Sequence, residues 1–380
     1  MERIYLDHAA TSPMHPEVIE RMTEVMKYEY GNPSSIHYFG RSSRHIVDEA
    51  RSALANSIGA KANDIIFTSG GTEADNHAIF GSAESLRHRG KHIITTQIEH
   101  HAVLHACEEL EKQGFEVTYL PVDPFGRVSV KDIEKALRED TILVTIMYGN
   151  NEIATLQPIK EIGDLLKEHP AVFHTDAVQA YGLEKIDVQE LKVDLLSVSA
   201  HKINGPKGIG FLYVHSDVKL SSRLFGGEQE RKRRAGTENV PSIAGFQEAV
   251  RIAQKEMEAK REELHSFKIL FMNKLEQEGA VFELNGSLDY SLPHVLNLSF
   301  PGTNVEAMLV NLDLAGIAAS SGSACTAGSI DPSHVLVSMF GKGSDKLQNS
   351  IRFSFGLFNT KEQVERAAEQ TANIVKRLVK

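Results

Sequence analysis

Short apolar runs that alternate with longer helical patterns constrain this chain more than any other feature. The runs fall at 64–69 (DIIFTS), 92–98, 116–122, 141–148, 171–177, 195–200 and 209–214. Several are apolar on both faces, as strands buried inside a sheet must be. Helix-like segments lie between them, at 42–58 with apolar Ile46, Val47, Ala50, Leu54 and Ile58, and at 72–88, 101–113 and 158–168. Such alternation predicts an α/β fold in which helices cover both faces of a mostly parallel seven-stranded sheet.

From 242 to 279 the pattern turns helical and highly charged, reading as a long helix leading out of this first unit. Strand-like HVLNLSF (294–300), a helix at 304–313, strand-like IAASSG (317–322), SIRFSFG (350–356) and a final helix at 360–378 make an α+β remainder. The 380 residues carry 41 Lys and Arg against 51 Asp and Glu, a net charge of −10, which argues against a dedicated nucleic-acid binder. Two cysteines exclude a disulfide framework and fit a reducing compartment. No apolar run reaches the roughly 18 residues of a membrane span, and the N-terminal MERIYLDHAATSP lacks a signal-peptide pattern. A soluble cytoplasmic protein is expected.

Four stretches point to chemistry. In SVSAHKINGPKGIG (197–210) a strand ends at Ser199, followed by His201 and Lys202. A lysine at a buried strand end is costly unless used, and pyridoxal-phosphate (PLP) enzymes need one to form a Schiff base with the cofactor aldehyde. HTDAVQA (174–180) puts Asp176 at another strand end, where a carboxylate would face a pyridinium nitrogen and Gln179 would reach a ring hydroxyl; Asp176 would equally serve as a helix N-cap. In FTSGGTEADN (67–76), Gly70, Gly71 and Thr72 open a helix whose free N–H groups suit a phosphate, without the Lys of a Walker A loop. In IEHHAVL (98–104), His100 would stack on a ring and move protons, or merely cap a helix. His101 and His105 have i, i+4 spacing, but no further ligand set accompanies them, so no resident metal is expected.

The two cysteines read differently. Cys107 shares an apolar helical stripe with Val103, Ala106 and Leu110 and is expected to be inert core. Cys325 lies in SSGSACTAGS, a small-residue segment suited to an accessible, movable nucleophile.

The whole chain then resembles the cysteine desulfurases of the NifS/IscS type, class-V aminotransferase-like PLP enzymes of fold type I. The resemblance rests on YLDHAATSP, GNPSSIHYFGR, FTSGGTEADN, IEHHAVL, NNEIATLQPI, HTDAVQ, SAHKINGPKG, RAGTENV, SSGSAC and SIRFSFG, in that order. It implies a large PLP-binding domain at 15–255 and a small domain made of 1–14 and 256–380, the latter carrying a mobile Cys loop at about 320–335. It implies Lys202 as Schiff-base lysine, Asp176 on the pyridinium, Gln179 on the ring hydroxyl, His100 stacked on the ring for proton transfer, and Asn151 beside cofactor and substrate. Gly71, Thr72, Ser199 and His201 would hold the phosphate, with Thr237 from the partner of a homodimer. Arg352 would clamp the carboxylate of L-cysteine, and Cys325 would take its sulfur as a persulfide, leaving L-alanine. The sulfur would pass to an acceptor protein, either a tRNA thiouridylase or an iron–sulfur scaffold, where Cys325 would at most touch a cluster transiently.

The basic run Arg231 to Arg234 reads as a solvated loop near the dimer interface, or as an acceptor-docking or RNA-proximal patch. Scaffold-feeding relatives often carry a longer tail, so the stop at Lys380, soon after the last helix, weakens that assignment and leaves room for a tRNA-thiolation enzyme or another acceptor. Rival readings are a selenocysteine lyase or another class-V aminotransferase and, from a different class, a non-catalytic sulfur-relay or RNA-binding adaptor.

Overall fold

The computed structural model describes residues 3–321 and 332–379. A two-residue strand, β1 (Ile4–Tyr5), leads into helices α1 (Pro16–Tyr28) and α2 (Tyr38–Asn56). The expected stripe on α2 is buried, but the helix starts four residues early because His37 caps it, its Nδ1 accepting from the N–H of Gly40 at 3.2 Å. The central sheet then forms from β2 (Ile65–Thr68), β3 (His92–Thr96), β4 (Glu116–Leu120), β5 (Thr141–Thr145), β6 (Val172–Asp176), β7 (Leu195–Ser199) and β8 (Gly210–Val214). All seven apolar runs become its strands, in the spatial order β2-β8-β7-β6-β5-β3-β4. Only β8 runs against its neighbours, so the sheet is mixed but mostly parallel.

Helices α3 (Gly71–Leu86), α4 (His101–Lys112), α5 (Val130–Ala136), α6 (Ile159–Leu166) and α7 (Val188–Leu191) connect these strands. Two apolar layers result, one on each face of the sheet. One joins Val47, Leu54, Phe67, Ile162, Phe173 and Phe211; the other joins Ile66, Ile79, Val103, Cys107 and Leu143.

The long helix is α8 (Val240–Gln277). Its first half, through Phe246, Val250 and Ala253, packs on the sheet's core, while Leu264, Phe267, Phe271 and Leu275 pack on a separate core. That second core is closed by the antiparallel strands β9 (Glu283–Asn285) and β10 (Val295–Ser299) and by α9 (Val305–Leu314). The strand expected at 317–322 is shorter: β11 (Ile317–Ala318) pairs in parallel with β1, and only an isolated bridge at Ser320 follows. Helices α10 (His334–Phe340) and α11 (Lys346–Asn349), strand β12 (Ser350–Ser354) beside β10, and α12 (Lys361–Leu378) complete the chain. No helix among the described residues is long and apolar enough to cross a membrane.

The strand order fixes where a ligand would sit. From β3 the chain steps outward to β4, then returns to the other side of β3 with β5 and proceeds through β6 and β7 in the opposite direction. The sense of winding therefore reverses between β3 and β5, and the loops after these strands diverge to leave a crevice at their C-terminal ends.

Candidate active site

That crevice is a cavity of about 440 Å³. It collects one or more side chains from the loop after each of β2, β3, β5, β6 and β7: Gly71 and Thr72, His100, Asn151, Asp176 and Gln179, and Ser199, His201 and Lys202. Arg352 on β12 and Ser320 reach it from the second core, and Ala9 and Ala10 from the N-terminal segment. Residues expected to act together, drawn from 71 to 352, therefore share one cleft. Two expected site residues do not line it. Thr237 is exposed and elsewhere on the surface, and Cys325 lies outside the described residues.

Lys202 ends the short turn after β7, and its Nζ donates to the carbonyls of Ala9 and Ala10, the latter at 2.7 Å. Burial, with the Arg352 guanidinium, pushes its pKa down to about 8, against the pull of Asp176 and Asp7. A lysine so held gives up its proton far more readily than a surface one, which imine formation requires. Asp176 is buried at the end of β6, where its Oδ1 accepts from the N–H of Val178 at 2.9 Å. Burial raises it to about 6, while that hydrogen bond and Lys202 hold it back. A cation set beside it would restore the charge that burial disfavours.

His100 fills the capping role the sequence offered and also stands in the cleft. It caps α4, Nδ1 accepting from the N–H of Ala102 at 3.1 Å, and it lines the cleft. Burial, Lys202 and the neighbouring imidazoles lower its pKa to about 4, so it is neutral. With Nδ1 committed as an acceptor, its proton sits on Nε2.

The turn expected to take a phosphate is built from backbone. Gly70 at φ 145° turns the chain into α3, and a Cβ on Gly71 would meet Val178 Cγ2 at 2.8 Å. The first N–H groups of α3 stay free for an anion, beside Ser199 and His201. Arg352 is anchored on one side, with Nη1 donating to the Asn151 carbonyl at 2.9 Å and Nη2 to Asp7 Oδ1 at 3.0 Å; its buried Nε has no partner among the described residues.

Several participants escaped sequence reasoning. The Ala9 and Ala10 carbonyls and Asp7 belong to YLDHAATSP, a motif that carried no assigned role because backbone acceptors leave no side-chain signature. Asp75, one turn into α3, is buried beside Asp176 and raised by burial and by that carboxylate. His294 packs against Gln179 from the second core. His334 joins His101 and His105, with rings 4.7 and 4.9 Å apart, yet no three His, Cys, Asp or Glu among the described residues are disposed to hold a metal. Cys107 is fully buried, and burial pushes its thiol pKa up.

The arrangement fits PLP: a lysine of lowered basicity, a buried carboxylate for a ring nitrogen, and a side-chain-free cradle at a helix N-terminus. Residues 4–367 match the aminotransferase class-V family. The chain is 65% identical over 378 residues, the full length of both, to the putative cysteine desulfurase IscS 1 of Bacillus subtilis. It is 48% identical to the cysteine desulfurase IscS of Dictyoglomus turgidum, over 99% of this chain and 95% of that one. Among solved structures, a NifS-like protein superposes with a TM-score of 0.92 at 35% identity, covering 99% of this chain and 100% of that one.

Proposed function

The chain belongs to the aminotransferase class-V family, among its cysteine desulfurases, and from that premise we propose how its own residues take sulfur from L-cysteine with PLP as cofactor. Bound here, PLP supplies an aldehyde that captures amines and a cationic ring that draws electrons from the substrate Cα. Lys202 anchors it as a lowered-pKa amine. Asp176 holds the ring nitrogen, and Gln179 the ring oxygen. Gly71, Thr72, Ser199 and His201 take the phosphate. Arg352, which lines the cleft, turns its guanidinium to the substrate carboxylate, with Asn151 beside it. His100 presents Nε2–H to the cleft as the proton-moving group. Cys325 takes the sulfur: its thiolate bonds to the substrate sulfur as the C–S bond breaks, the bonding pair passes to the substrate carbon, and that carbon takes up a proton to leave as alanine. The observation that carries this reading is the convergence of Lys202, Asp176, His100 and Arg352 on one cleft.

The reading extends to a homodimer in which Thr237 completes the partner's phosphate site, and to a division between large and small domains within α8, near residue 255. Exposed Tyr28, Tyr30, Ile36, Tyr38, Phe39 and Phe225 support the homodimer, since a lone chain rarely leaves so much aromatic surface uncovered. The basic run supports an adaptor role poorly. Lys232 pairs with Glu228, Arg233 donates to the Asn63 carbonyl and Arg234 forks onto Glu73, so three of its four cations have partners within the chain. We take the sulfur acceptor to be a protein of tRNA thiolation or iron–sulfur assembly, in the cytoplasm.

The test is product analysis with L-cysteine and a reductant. Alanine and sulfide in equal amounts, absent from Cys325→Ser, are expected. Equal sulfide from Cys325→Ser would move the nucleophile elsewhere, and release from selenocysteine alone would favour the lyase reading.

A further inference from the structure

We propose that His294 is a positioning residue for Gln179, locking its amide so that an N–H rather than the carbonyl faces the ring oxygen of the bound cofactor. The proposal rests on the reading of Gln179 given above. His294 immediately precedes β10 and is buried, and its Nε2 lies 3.1 Å from Gln179 Oε1 across the junction of the two cores. On the other side, Gln179 Nε2 donates to the Ala9 carbonyl at 3.0 Å, the same oxygen that receives Lys202 Nζ.

The chain of contacts leaves one arrangement. The Ala9 carbonyl only accepts, so the amide nitrogen must face it and Oε1 must face His294. Oε1 only accepts, so His294 must carry its proton on Nε2. Rotating the Gln179 amide would set oxygen against oxygen at Ala9 and N–H against N–H at His294. One Nε2 hydrogen is used at Ala9; since Gln179 lines the cleft, the second is available to a bound group.

The environment keeps His294 in this role. Burial, reinforced by nearby Lys268 and Lys260, holds it neutral, so it has one proton to give. Its Nδ1 is buried with no partner among the described residues. An orphaned ring nitrogen is a cost that an apolar side chain would avoid, so packing alone does not account for a histidine there.

The experiment is a pH titration of the visible absorption band of the lysine-linked cofactor in the holoenzyme. Losing a donor at the ring oxygen makes that oxygen hold the imine proton more tightly, so Gln179→Leu should raise the midpoint, by about half a pH unit or more. His294→Leu should raise it comparably. His294→Gln, whose Nε2–H reaches the same point, should keep the parent midpoint, and His294→Leu should add nothing in a Gln179→Leu background. No shift in Gln179→Leu would overturn the reading of Gln179 and the inference with it. A shift in Gln179→Leu but none in His294→Leu, or additive shifts in the double variant, would overturn the role of His294 alone. If His294→Leu fails to hold the cofactor, His294→Asn decides. Its shorter amide misses Oε1 and should shift the midpoint, and a parent-like His294→Asn overturns the proposal.

Discussion

Arg352 and Ser320 exchange two backbone hydrogen bonds, from Arg352 N to Ser320 O at 2.6 Å and from Ser320 N to Arg352 O at 3.1 Å. The segment bearing Cys325 therefore departs from beside the residue proposed to seize the substrate carboxylate, five positions before the sulfur. With the Arg352 fork set by Asp7 and Asn151, Arg352→Lys keeps the charge and loses the geometry. The expected result is a fall of about 10- to 100-fold in kcat/KM for cysteine, mostly in KM, with the cofactor band intact. Unchanged KM in steady-state assays would place carboxylate binding elsewhere.

Lys202→Ala should abolish the lysine-linked absorption band and desulfuration together. In the parent protein the amine must lose its proton before it captures the aldehyde. With its pKa near 8, the rate of reconstitution from apoprotein should climb about tenfold per pH unit below that value and level off above it. Stopped-flow absorbance checks this. A rate still climbing at pH 10 would mean that burial does not lower this lysine.

Cys325→Ser should bind PLP and cysteine with parent-like spectra yet release no sulfide. Mass spectrometry of the parent after one turnover should find one added sulfur on the peptide containing Cys325. The buried thiol of Cys107 should stay unmodified.

Arg51 and Glu230 form a buried bidentate pair at 2.6 and 2.7 Å, with Phe67 N–H donating to the same carboxylate. The pair pins a loop whose Glu230, Arg231 and Lys232 all have φ between 46° and 66°. Arg51→Ala strands Glu230 and should cost about 3–5 kcal/mol in urea unfolding, whereas Arg51→Met with Glu230→Leu should recover most of it. A loss under 1 kcal/mol would show the carboxylate has found water.

His8 and His77 are lowered by burial to about 4 and His174 to about 3. Between those values and about 6.5 the unfolded chain binds protons that the folded one refuses, so stability rises with pH across that window and is lost as pH falls. Each contributes up to about 1.4 kcal/mol per pH unit there, as do the lowered His100 and His294, while the buried carboxylates Glu99, raised to about 8, Asp176, raised to about 6, and Asp75, also raised, oppose them in part. The urea midpoint should be clearly lower at pH 5 than at pH 6.5. A flat profile would contradict these neutral buried imidazoles.

Much of this molecule was legible in one dimension. The seven central strands and the long helix follow from apolar runs and helical periodicity, because burial on two faces or one is written in residue spacing. Lys202, Asp176 and His100 were found because a charged or titratable group at the end of a buried strand is expensive, and cost leaves a trace in sequence. Elements with exposed faces escaped: α1 reads as polar, and β9 is three residues long. Strand order, and with it the switch point between β3 and β5, was decided by packing. So were the contacts that cross between elements: Lys202 on the carbonyls of Ala9 and Ala10, Arg352 on Asp7, and His294 on Gln179. Their partners lie between 115 and 345 residues apart, and hydrogen bonds act over about 3 Å. Local spacing marked the residues proposed to carry the chemistry; only the closed fold decided which atoms hold them in place.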